Sequence, residues 1–463
     1  MMRPDKTAFR SLADFATSGI KRLAEEDPVL LDLIHREYLR QCNTLSMIAA
    51  SSIADSGVHF CHGSVFGNLT LEGYPGHRFH SGCEYADMVE NLAVERAMAV
   101  FGARYANVQP HSGSTANQIL LFGFLKPGDR VLGLDLACGG HLTHGARASV
   151  SGQYFEASTY SVDENGFIDY NQVRERALQQ RPRMIVCGAS AYPRTIDFRL
   201  FREIADESGS LLLADISHIA GLVAAGCHPS PIDHAHFTTT STYKQLYGPR
   251  GGMILMGRDC SQIMPGKREA LSAIVQRSVF PLTQSTPDVG AIAAKARALA
   301  FVATEEFQKL ASLIVENAQV LADEMIARGY RLVTGGTDNH MVLADLTSRE
   351  LTGVVAQTVL EKNGILVNKN MIPNDTTGPL VTSGIRLGTN TLALRKMDKS
   401  AIRAACGLVD KVLSAVEPRE GKQYDFPDGL AEAVRSDVEE LCARYPIPGY
   451  QVTLQAGVAS GGS

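Results

Sequence analysis

Two polar clusters, each near the end of an apolar run, carry residue types that could do chemistry. The first, Ser112-Gly113-Ser114-Thr115, precedes a helical pattern, and the free N–H groups of a helix's first turn suit a phosphate. Taken alone, such a cluster is more often an ordinary helix cap. The second is Asp215, which ends the apolar run SLLLAD and has His218 three residues further on. Taken alone, this pattern also fits an ordinary turn.

A third cluster surrounds a lysine. Five hydroxyl residues, at positions 238–242, precede Tyr243-Lys244, and Arg250 follows within GPRGG. Such surroundings suit a Schiff base, because the amine must lose its proton to act as a nucleophile. Together the three clusters supply what pyridoxal phosphate requires: a lysine for the aldehyde, a carboxylate for the ring nitrogen and a helix N-terminus for the phosphate.

Two further patterns bear on metals and disulfides. His141 and His144 have a spacing that metal sites also use, but the sequence shows no evident third or fourth ligand, so we predict no metal. The nine cysteines are scattered singly without a CxxC pair. This pattern argues against a disulfide framework or a zinc site and favours a reducing compartment.

Strand and helix patterns alternate around these clusters. Apolar runs of strand length occur at RVLGLDL, RMIVCGA, SLLLADI and GMILM, with helical patterns between them. This alternation predicts parallel βαβ units, whose ligands bind beyond the carboxyl ends of the strands. Shorter strand patterns after residue 330 predict a second, smaller α+β domain. The Gly-, Ser- and His-rich residues 50–82 predict a functional loop.

Composition excludes several classes of protein. The 463 residues include 44 Lys plus Arg against 49 Asp plus Glu, a net charge of -5, which argues against nucleic-acid binding. No run of about 18 uncharged apolar residues is present, as a membrane-spanning helix would need. The first 15 residues lack the apolar core of a signal peptide. We therefore predict a cytoplasmic protein.

Several long motifs, in chain order, resemble those of the serine hydroxymethyltransferases. They are EGYPGHRFHSGCEYADMVENLAVERA, ANVQPHSGSTAN, ACGGHLTHG, DISHIAGLVAAG, TTTSTYKQLYGPRGG, VNKNMIPNDTTGP and VTSGIRLGT. The resemblance implies an α/β protein of pyridoxal-phosphate fold type I, like aspartate aminotransferase. It also implies tetrahydrofolate as cosubstrate and a homodimer, or dimer of dimers, with composite active sites. We expect an N-terminal helical segment (1–65), a large cofactor-binding domain (66–300) and a small C-terminal domain (301–463).

The resemblance also assigns roles to single residues. Lys244 resembles the Schiff-base lysine and Asp215 the partner of the pyridinium nitrogen, while Tyr243, which we count as catalytic, replaces the family's histidine before the lysine. Glu72 resembles the acid/base glutamate near the substrate hydroxyl and the folate, and Arg386 the arginine for the substrate carboxylate. The remaining cofactor positions are Gly113, Ser114, His141, Ser190, His218 and Arg250, and the remaining folate positions are Leu136, Leu142 and Asn370.

Departures from the family's motifs cluster at the substrate end of the pocket. The usual LIASEN reads MIAASS at residues 47–52, RYYGG reads RFHSG with His80 in place of a tyrosine, and GGQGGP reads LTQSTP at residues 282–287. The tyrosine two residues before the EGYPG glutamate is Thr70. Losing that ring leaves room for a methyl group on the reacting carbon, since one methylene misfit in a pocket is worth about 1–3 kcal/mol.

These departures predict the α-methylserine branch of the family. Its members transfer the hydroxymethyl group of 2-methylserine to tetrahydrofolate and form D-alanine and 5,10-methylenetetrahydrofolate. Three alternatives stay open: an ordinary serine/glycine enzyme, a folate-independent aldolase or transaldolase on β-hydroxy amino acids, and a binding protein that has lost catalysis. Retained Glu72 and Asn370 favour folate chemistry, and retained Lys244, Asp215 and Arg386 argue against lost catalysis.

Overall fold

The computed structural model describes residues 6–266, 268–419 and 422–450. Its helices are α1 (Lys6–Glu26), α2 (Pro28–Asn43), α3 (Ser56–His62), α4 (Glu84–Phe101), α5 (Gly113–Phe124), α6 (Val150–Tyr154), α7 (Tyr170–Gln180), α8 (Phe198–Ser208), α9 (Ala220–Ala224), α10 (Leu271–Arg277), α11 (Val289–Val302), α12 (Glu305–Ala327), α13 (Gly353–Lys362), α14 (Asn390–Leu394), α15 (Lys399–Ser414) and α16 (Asp428–Arg444).

The strands in these residues are β1 (Leu45–Ser46), β2 (Gly73–Tyr74), β3 (His77–Arg78), β4 (Tyr105–Asn107), β5 (Arg130–Leu134), β6 (Glu156–Tyr160), β7 (Met184–Cys187), β8 (Leu211–Asp215), β9 (Phe237–Ser241), β10 (Gly252–Met256), β11 (Arg331–Leu332), β12 (Met341–Asp345), β13 (Ile365–Leu366), β14 (Asn368–Asn370), β15 (Gly384–Gly388), β16 (Glu417–Pro418) and β17 (Tyr424–Asp425). None of the described helices is long and apolar enough to cross a membrane.

The central sheet of the described chain has seven strands in the order β4-β10-β9-β8-β7-β5-β6. The run from β6 to β9 is parallel, which confirms the predicted α/β class with a mostly parallel sheet. The run GMILM does form a strand, β10, but it is antiparallel to both β9 and β4. The prediction of a parallel unit there is wrong, because residues 242–251 are too few for a crossover helix.

Local signals in the sequence explain several helix starts. Asp27 caps α2 by accepting a hydrogen bond from Leu30 N, and Pro28 occupies the first helical position, where no N–H is needed. Residues 50–82 are less irregular than predicted, since they contain α3 and the β2–β3 hairpin. Asp55 caps α3 by accepting a hydrogen bond from Val58 N, a local signal that hydrophobic periodicity does not show.

The smaller sheet of the described chain has the order β11-β12-β15-β14 and confirms the predicted strand patterns after residue 330. The N-terminal segment joins it, because β1 pairs in parallel with β13 and Leu45 is buried in the same apolar core. Helix α12 belongs to both cores: Phe307 and Ile314 pack with the large sheet, and Leu321 packs with the small one. The division at residues 65 and 300 stays a prediction.

Replacing Leu45 by Ala tests whether the N-terminal segment is part of the small core. Leu45 is fully buried, so the change should lower the free energy of unfolding by about 2–5 kcal/mol, measured by urea denaturation. Leu178→Ala, the same change at an exposed position of α7, should stay within about 0.5 kcal/mol. Equal effects of the two variants would contradict this packing.

Candidate active site

A cavity opens beyond the carboxyl ends of β7, β8 and β9, and it gathers the three polar clusters of the sequence. Parallel strands place the residues that follow them at one edge of the sheet, which is why separated segments meet here. The cavity is lined by Ser112, Gly113, Ser114, His141, His144, Ala189, Ser190, Asp215, Ser217, His218, Ser241, Tyr243, Lys244 and Arg250.

One wall of the cavity is the N-terminus of α5. Ser112 caps this helix, since its Oγ accepts from Thr115 N at 3.0 Å. Gly113 is buried against β9, where a Cβ atom would lie 3.1 Å from Ser241 N and from Ser217 Oγ. The following backbone N–H groups have no helical partner, so the first turn of α5 suits an anion.

Opposite this wall lies the buried carboxylate of Asp215, at the end of β8. Its Oδ2 accepts from Asn117 Nδ2 at 2.8 Å and from His144 Nε2 at 3.1 Å, and its Oδ1 accepts from Ser217 N at 3.0 Å. Burial alone would raise the pKa of Asp215, but the hydrogen bonds from His144 Nε2 and from Ser217 outweigh it. The pKa is held well below its usual range, and the carboxylate is ionised.

The two histidines of GGHLTHG also meet this carboxylate. Ligand atoms of His141, His144 and Asp215 lie within 4.8 Å of one another, which corrects the expectation that no third ligand accompanies the pair. Hydrogen bonds account for the cluster: His144 Nδ1 accepts from His141 N at 3.4 Å while His144 Nε2 donates to Asp215. His141 stays neutral, because burial lowers its pKa to about 4.

The ammonium of Lys244 is buried in the cavity. Burial, helped by the charge of Arg386 and partly opposed by Asp215, lowers its pKa to about 8. Within the described residues Lys244 Nζ donates no hydrogen bond, and it lies 5.9 Å from the centroid of the Tyr243 ring. An uncommitted amine with a lowered pKa is suited to attack an aldehyde.

Tyr243 and Arg250 form the rim of the cavity. The Arg250 guanidinium lies 4.5 Å from the centroid of the Tyr243 ring, and the Tyr243 carbonyl accepts from Ser52 Oγ at 2.8 Å. This contact links the altered segment at residues 47–52 to the cavity. The tyrosine therefore holds two chain segments together at the entrance.

Arg386, on the small sheet, contacts the cavity wall at Ser190 but does not itself line the cavity. It lies on β15, where its guanidinium donates to the Ser190 carbonyl and, at 3.0 Å, to Asn368 Oδ1. Its Nε is buried without a partner among the described residues, and burial lowers its pKa to about 10. His218 is buried beside it, and burial together with the charges of Lys244 and Arg386 keeps the pKa of His218 well below its usual value.

The other predicted residues do not line this cavity. Thr70 and His80 are exposed, and Glu72 is half-buried in the loop before β2. Leu136 and Leu142 are exposed on two short 3-10 helices, and Asn370 lies on β14 with its Nδ2 donating to the Met371 carbonyl. Within one chain none of these residues is among those that line the cavity.

Sequence reasoning missed the residues that hold Asp215. Asn117 donates to Asp215 and to Thr143 Oγ1, and its Oδ1 accepts from Thr239 Oγ1 at 2.6 Å. The available signal was its place one helical turn after Ser114 on α5. In the sequence, the spacing of His144 from His141 suggests only a metal ligand. Asn117 and His144 both hold the carboxylate in place by donating to its Oδ2.

The cavity fits pyridoxal phosphate. Its residues supply an anion site at α5, an ionised carboxylate for a protonated ring nitrogen and an uncommitted lysine for an aldehyde. Two buried polar atoms on its walls, Ser241 Oγ and His218 Nδ1, have no partner among the described residues. Buried polar atoms normally have hydrogen-bond partners, so these two indicate where polar groups of a bound molecule are received.

Comparison with known proteins agrees with this geometry. A family model described as "Serine hydroxymethyltransferase" matches residues 23–409. A curated relative from Chlorobium phaeovibrioides, named "Serine hydroxymethyltransferase", is 44% identical over 441 residues, which cover 93% of this chain and 98% of the relative. The family has pyridoxal-phosphate fold type I and uses pyridoxal phosphate and tetrahydrofolate, as predicted.

Replacing Lys244 by Arg tests the nucleophile, because an arginine does not deprotonate. The variant should lose the visible absorbance of a lysine-bound pyridoxal cofactor and nearly all turnover. In the wild-type apoenzyme at saturating cofactor, the rate of cofactor attachment should rise about tenfold per pH unit and level off near pH 8, where Lys244 is half neutral.

Lys126→Arg, at an exposed position, is the matched control and should keep the spectrum. A rate that keeps rising beyond pH 9, as for an ordinary lysine, would contradict the lowered pKa. An unchanged spectrum in the Lys244 variant would mean that another lysine holds the cofactor.

Proposed function

Because this chain belongs to the serine hydroxymethyltransferase family, we propose that it transfers the hydroxymethyl group of 2-methylserine to tetrahydrofolate and releases D-alanine. The observation that carries the proposal is a complete cofactor cavity combined with an altered substrate end. Asp215, Lys244 and the cradle at α5 are all present, whereas Thr70 replaces a bulky aromatic residue. We also propose a cytoplasmic location, which agrees with nine free thiols.

Four residues in and near the cavity have proposed tasks in this reaction. Bound pyridoxal phosphate supplies a sink for the electron pair left when a bond to the substrate's Cα breaks. Asp215, held ionised, keeps a ring nitrogen protonated, and Arg386 binds and orients the substrate carboxylate. Lys244 accepts or returns a proton at its amine. Glu72 moves the proton of the substrate hydroxyl, and folate captures the one-carbon unit.

The separation of Glu72, Thr70 and His80 from the cavity of their own chain supports a composite site. We propose that the chain forms a homodimer, or a dimer of dimers, in which these residues complete the cavity of the partner subunit. The exposed side chains of Thr70 and His80 are then available for that contact. Leu136, Leu142 and Asn370 are proposed to contact the folate.

Serine is the second candidate donor, and a specific observation favours it. The curated relative, 44% identical over nearly its whole length, is named for serine rather than for 2-methylserine. The two donors differ only by a methyl group on Cα. The choice therefore depends on the space around that carbon, which the residue at position 70 controls in this proposal.

Thr70→Tyr tests this steric account by restoring the aromatic wall. The ratio of kcat/KM for 2-methylserine to kcat/KM for serine should fall about tenfold or more, because a methyl group misfit costs roughly 1–3 kcal/mol. Exchange of the D-alanine α-proton should fall with it, whereas exchange of the glycine α-proton should be kept. Cofactor content and Tm confirm that the variant is folded and loaded.

Thr195→Tyr makes the same change at an exposed threonine outside the proposed site and should leave the ratio unchanged. If both donors lose activity in equal proportion in the folded Thr70 variant, position 70 does not select the donor. If the kcat/KM of the wild-type enzyme is higher for serine than for 2-methylserine, the protein is an ordinary serine hydroxymethyltransferase.

Glu72→Gln tests both the acid/base role and the composite site. The amide is nearly isosteric, so substrate binding should persist while folate-dependent cleavage falls by about 10²–10⁴-fold. In an equal mixture of refolded Glu72→Gln and Lys244→Arg subunits, half of the dimers are mixed and each carries one intact site. Activity should therefore recover to about a quarter of wild type.

The two variants assayed separately are the controls for this mixture. A mixture that stays inactive, although subunit exchange is verified by native mass spectrometry, would mean that Glu72 and Lys244 act within the same chain. Normal cleavage by the Glu72 variant alone would mean that another group moves the proton.

A further inference from the structure

A second buried lysine lies behind the cofactor cavity without lining it. Lys295, on α11, is 2% exposed, and its Nζ donates to the carbonyls of Val108 at 2.6 Å, Pro110 at 3.1 Å and Gly252 at 3.0 Å. These bonds use all three of its N–H donors. This ammonium has no task in the proposed reaction.

The segment that Lys295 holds leads directly into the phosphate cradle. Gln284 holds the same segment from the other side, with its Nε2 donating to the Gln109 carbonyl and its Oε1 accepting from His111 N. Lys295 and Gln284 together bind the backbone from residue 108 to residue 111. The next three residues are Ser112, Gly113 and Ser114, so the position of the cradle depends on these contacts.

Gly252 forms the contact between Lys295 and the cradle. Its carbonyl accepts from Lys295 Nζ, and a Cβ atom on Gly252 would lie 2.2 Å from the Ser112 carbonyl oxygen and 3.0 Å from Gly113 N. Only a residue without a side chain allows this approach. A single glycine thus separates the buried ammonium from the N–H groups that face the anion site.

The charge of Lys295 is not neutralised by a contacting carboxylate within the described residues. The negative charges of Asp288 and Glu90 act on Lys295 without contacting it. Glu90 already forms an ion pair with Arg78. Helices α3, α4 and α12 and the segment before α5 surround α11. Besides Asp288, Glu90 and Arg78, the charged or titratable groups of these elements are Arg297, Asp55, His59, Cys61, His62, Glu84, Tyr85, Asp87, Glu95, Arg96, His111, Glu305, Glu306, Lys309, Glu316, Asp323 and Glu324. A buried cation that lacks a partner is costly unless an anion arrives.

We propose that Lys295 is a positioning residue that provides the compensating positive charge for the cofactor's phosphate, a phosphomonoester dianion held at Ser112, Gly113 and Ser114. It aligns the cradle through the backbone and favours the anion through its charge, without touching the phosphate. This proposal rests on the cofactor placement in the proposed function. It assigns a role to a residue outside the cavity.

Proton linkage follows from the surroundings of Lys295. Burial lowers its pKa to about 7, with Asp288 and Glu90 partly opposing the shift. A phosphate dianion nearby favours the charged form and raises that pKa. Between the two pKa values the apoenzyme therefore takes up a proton when phosphate binds, and above about pH 7 its affinity for phosphate falls by up to tenfold per pH unit.

Isothermal titration of the apoenzyme with inorganic phosphate tests this linkage without forming a bond to Lys244. Titrations between pH 6.5 and 9, in buffers of different ionisation enthalpy, give the number of protons taken up. The wild-type apoenzyme should take up about half a proton near pH 8, beyond the change due to phosphate itself. No excess uptake in the wild type would overturn the proposal.

Lys295→Met, which keeps nearly the length of the side chain but removes its charge, tests whether Lys295 takes up the proton. It should bind phosphate about tenfold more weakly at pH 7 and lose both the excess uptake and the fall in affinity at higher pH. Lys295→Gln, which can still donate to two carbonyls, serves if the Met variant does not fold. His111→Gln should keep the uptake, which separates Lys295 from the nearest histidine.

Arg395→Met is the matched control, because Arg395 is also buried and donates to backbone carbonyls, those of Gln41, Cys42, Thr44, Cys442 and Tyr445. It should lose stability but keep the phosphate affinity and its pH dependence. Equal uptake in wild type and a folded Lys295 variant would overturn the role of Lys295 alone. Failure of wild-type apoenzyme to bind phosphate would instead overturn the cradle itself.

Discussion

The carboxylate of Asp215 is buried and ionised at the same time, and the organisation of the cavity depends on this combination. An isolated charge in such a place would take up a proton, because burial favours the neutral acid. Asn117 from α5, His144 from the loop after β5 and Ser217 after β8 each donate to it. Three parts of the chain are therefore fixed relative to one another by their shared need to satisfy one charge.

Two buried lysines show how neighbours determine what a charged group does. Lys244 gives no hydrogen bond within the described chain and faces the cavity, so it is available for covalent chemistry. Lys295 donates all of its protons to backbone carbonyls, so it is suited to hold structure and to supply a field. Burial lowers the pKa of both amines. Their partners, rather than their burial, distinguish the two roles.

Much of this arrangement could be read from the sequence, because strand periodicity and the polar residues after each strand are local signals. These signals predicted strands β5, β7, β8, β12 and β15. They also predicted that Ser114, Asp215 and Lys244 serve one cofactor, and the three residues line the same cavity. The direction of β10 depends on the length of its connection, which periodicity does not report. The partners Asn117 and His144 depend on side-chain contacts between distant segments, and the place of Glu72 depends on a second subunit in our proposal.

Helix α12 has a mechanical consequence for the two cores that it joins. Its 23 residues extend about 34 Å, and hydrogen bonds along its length make it stiff. A stiff helix with one end packed in each core limits how far apart the two sheets can be. Arg386 is carried by the smaller sheet and Ser190 by the larger one. Because α12 limits that separation, the hydrogen bond between these two residues can form across the two sheets.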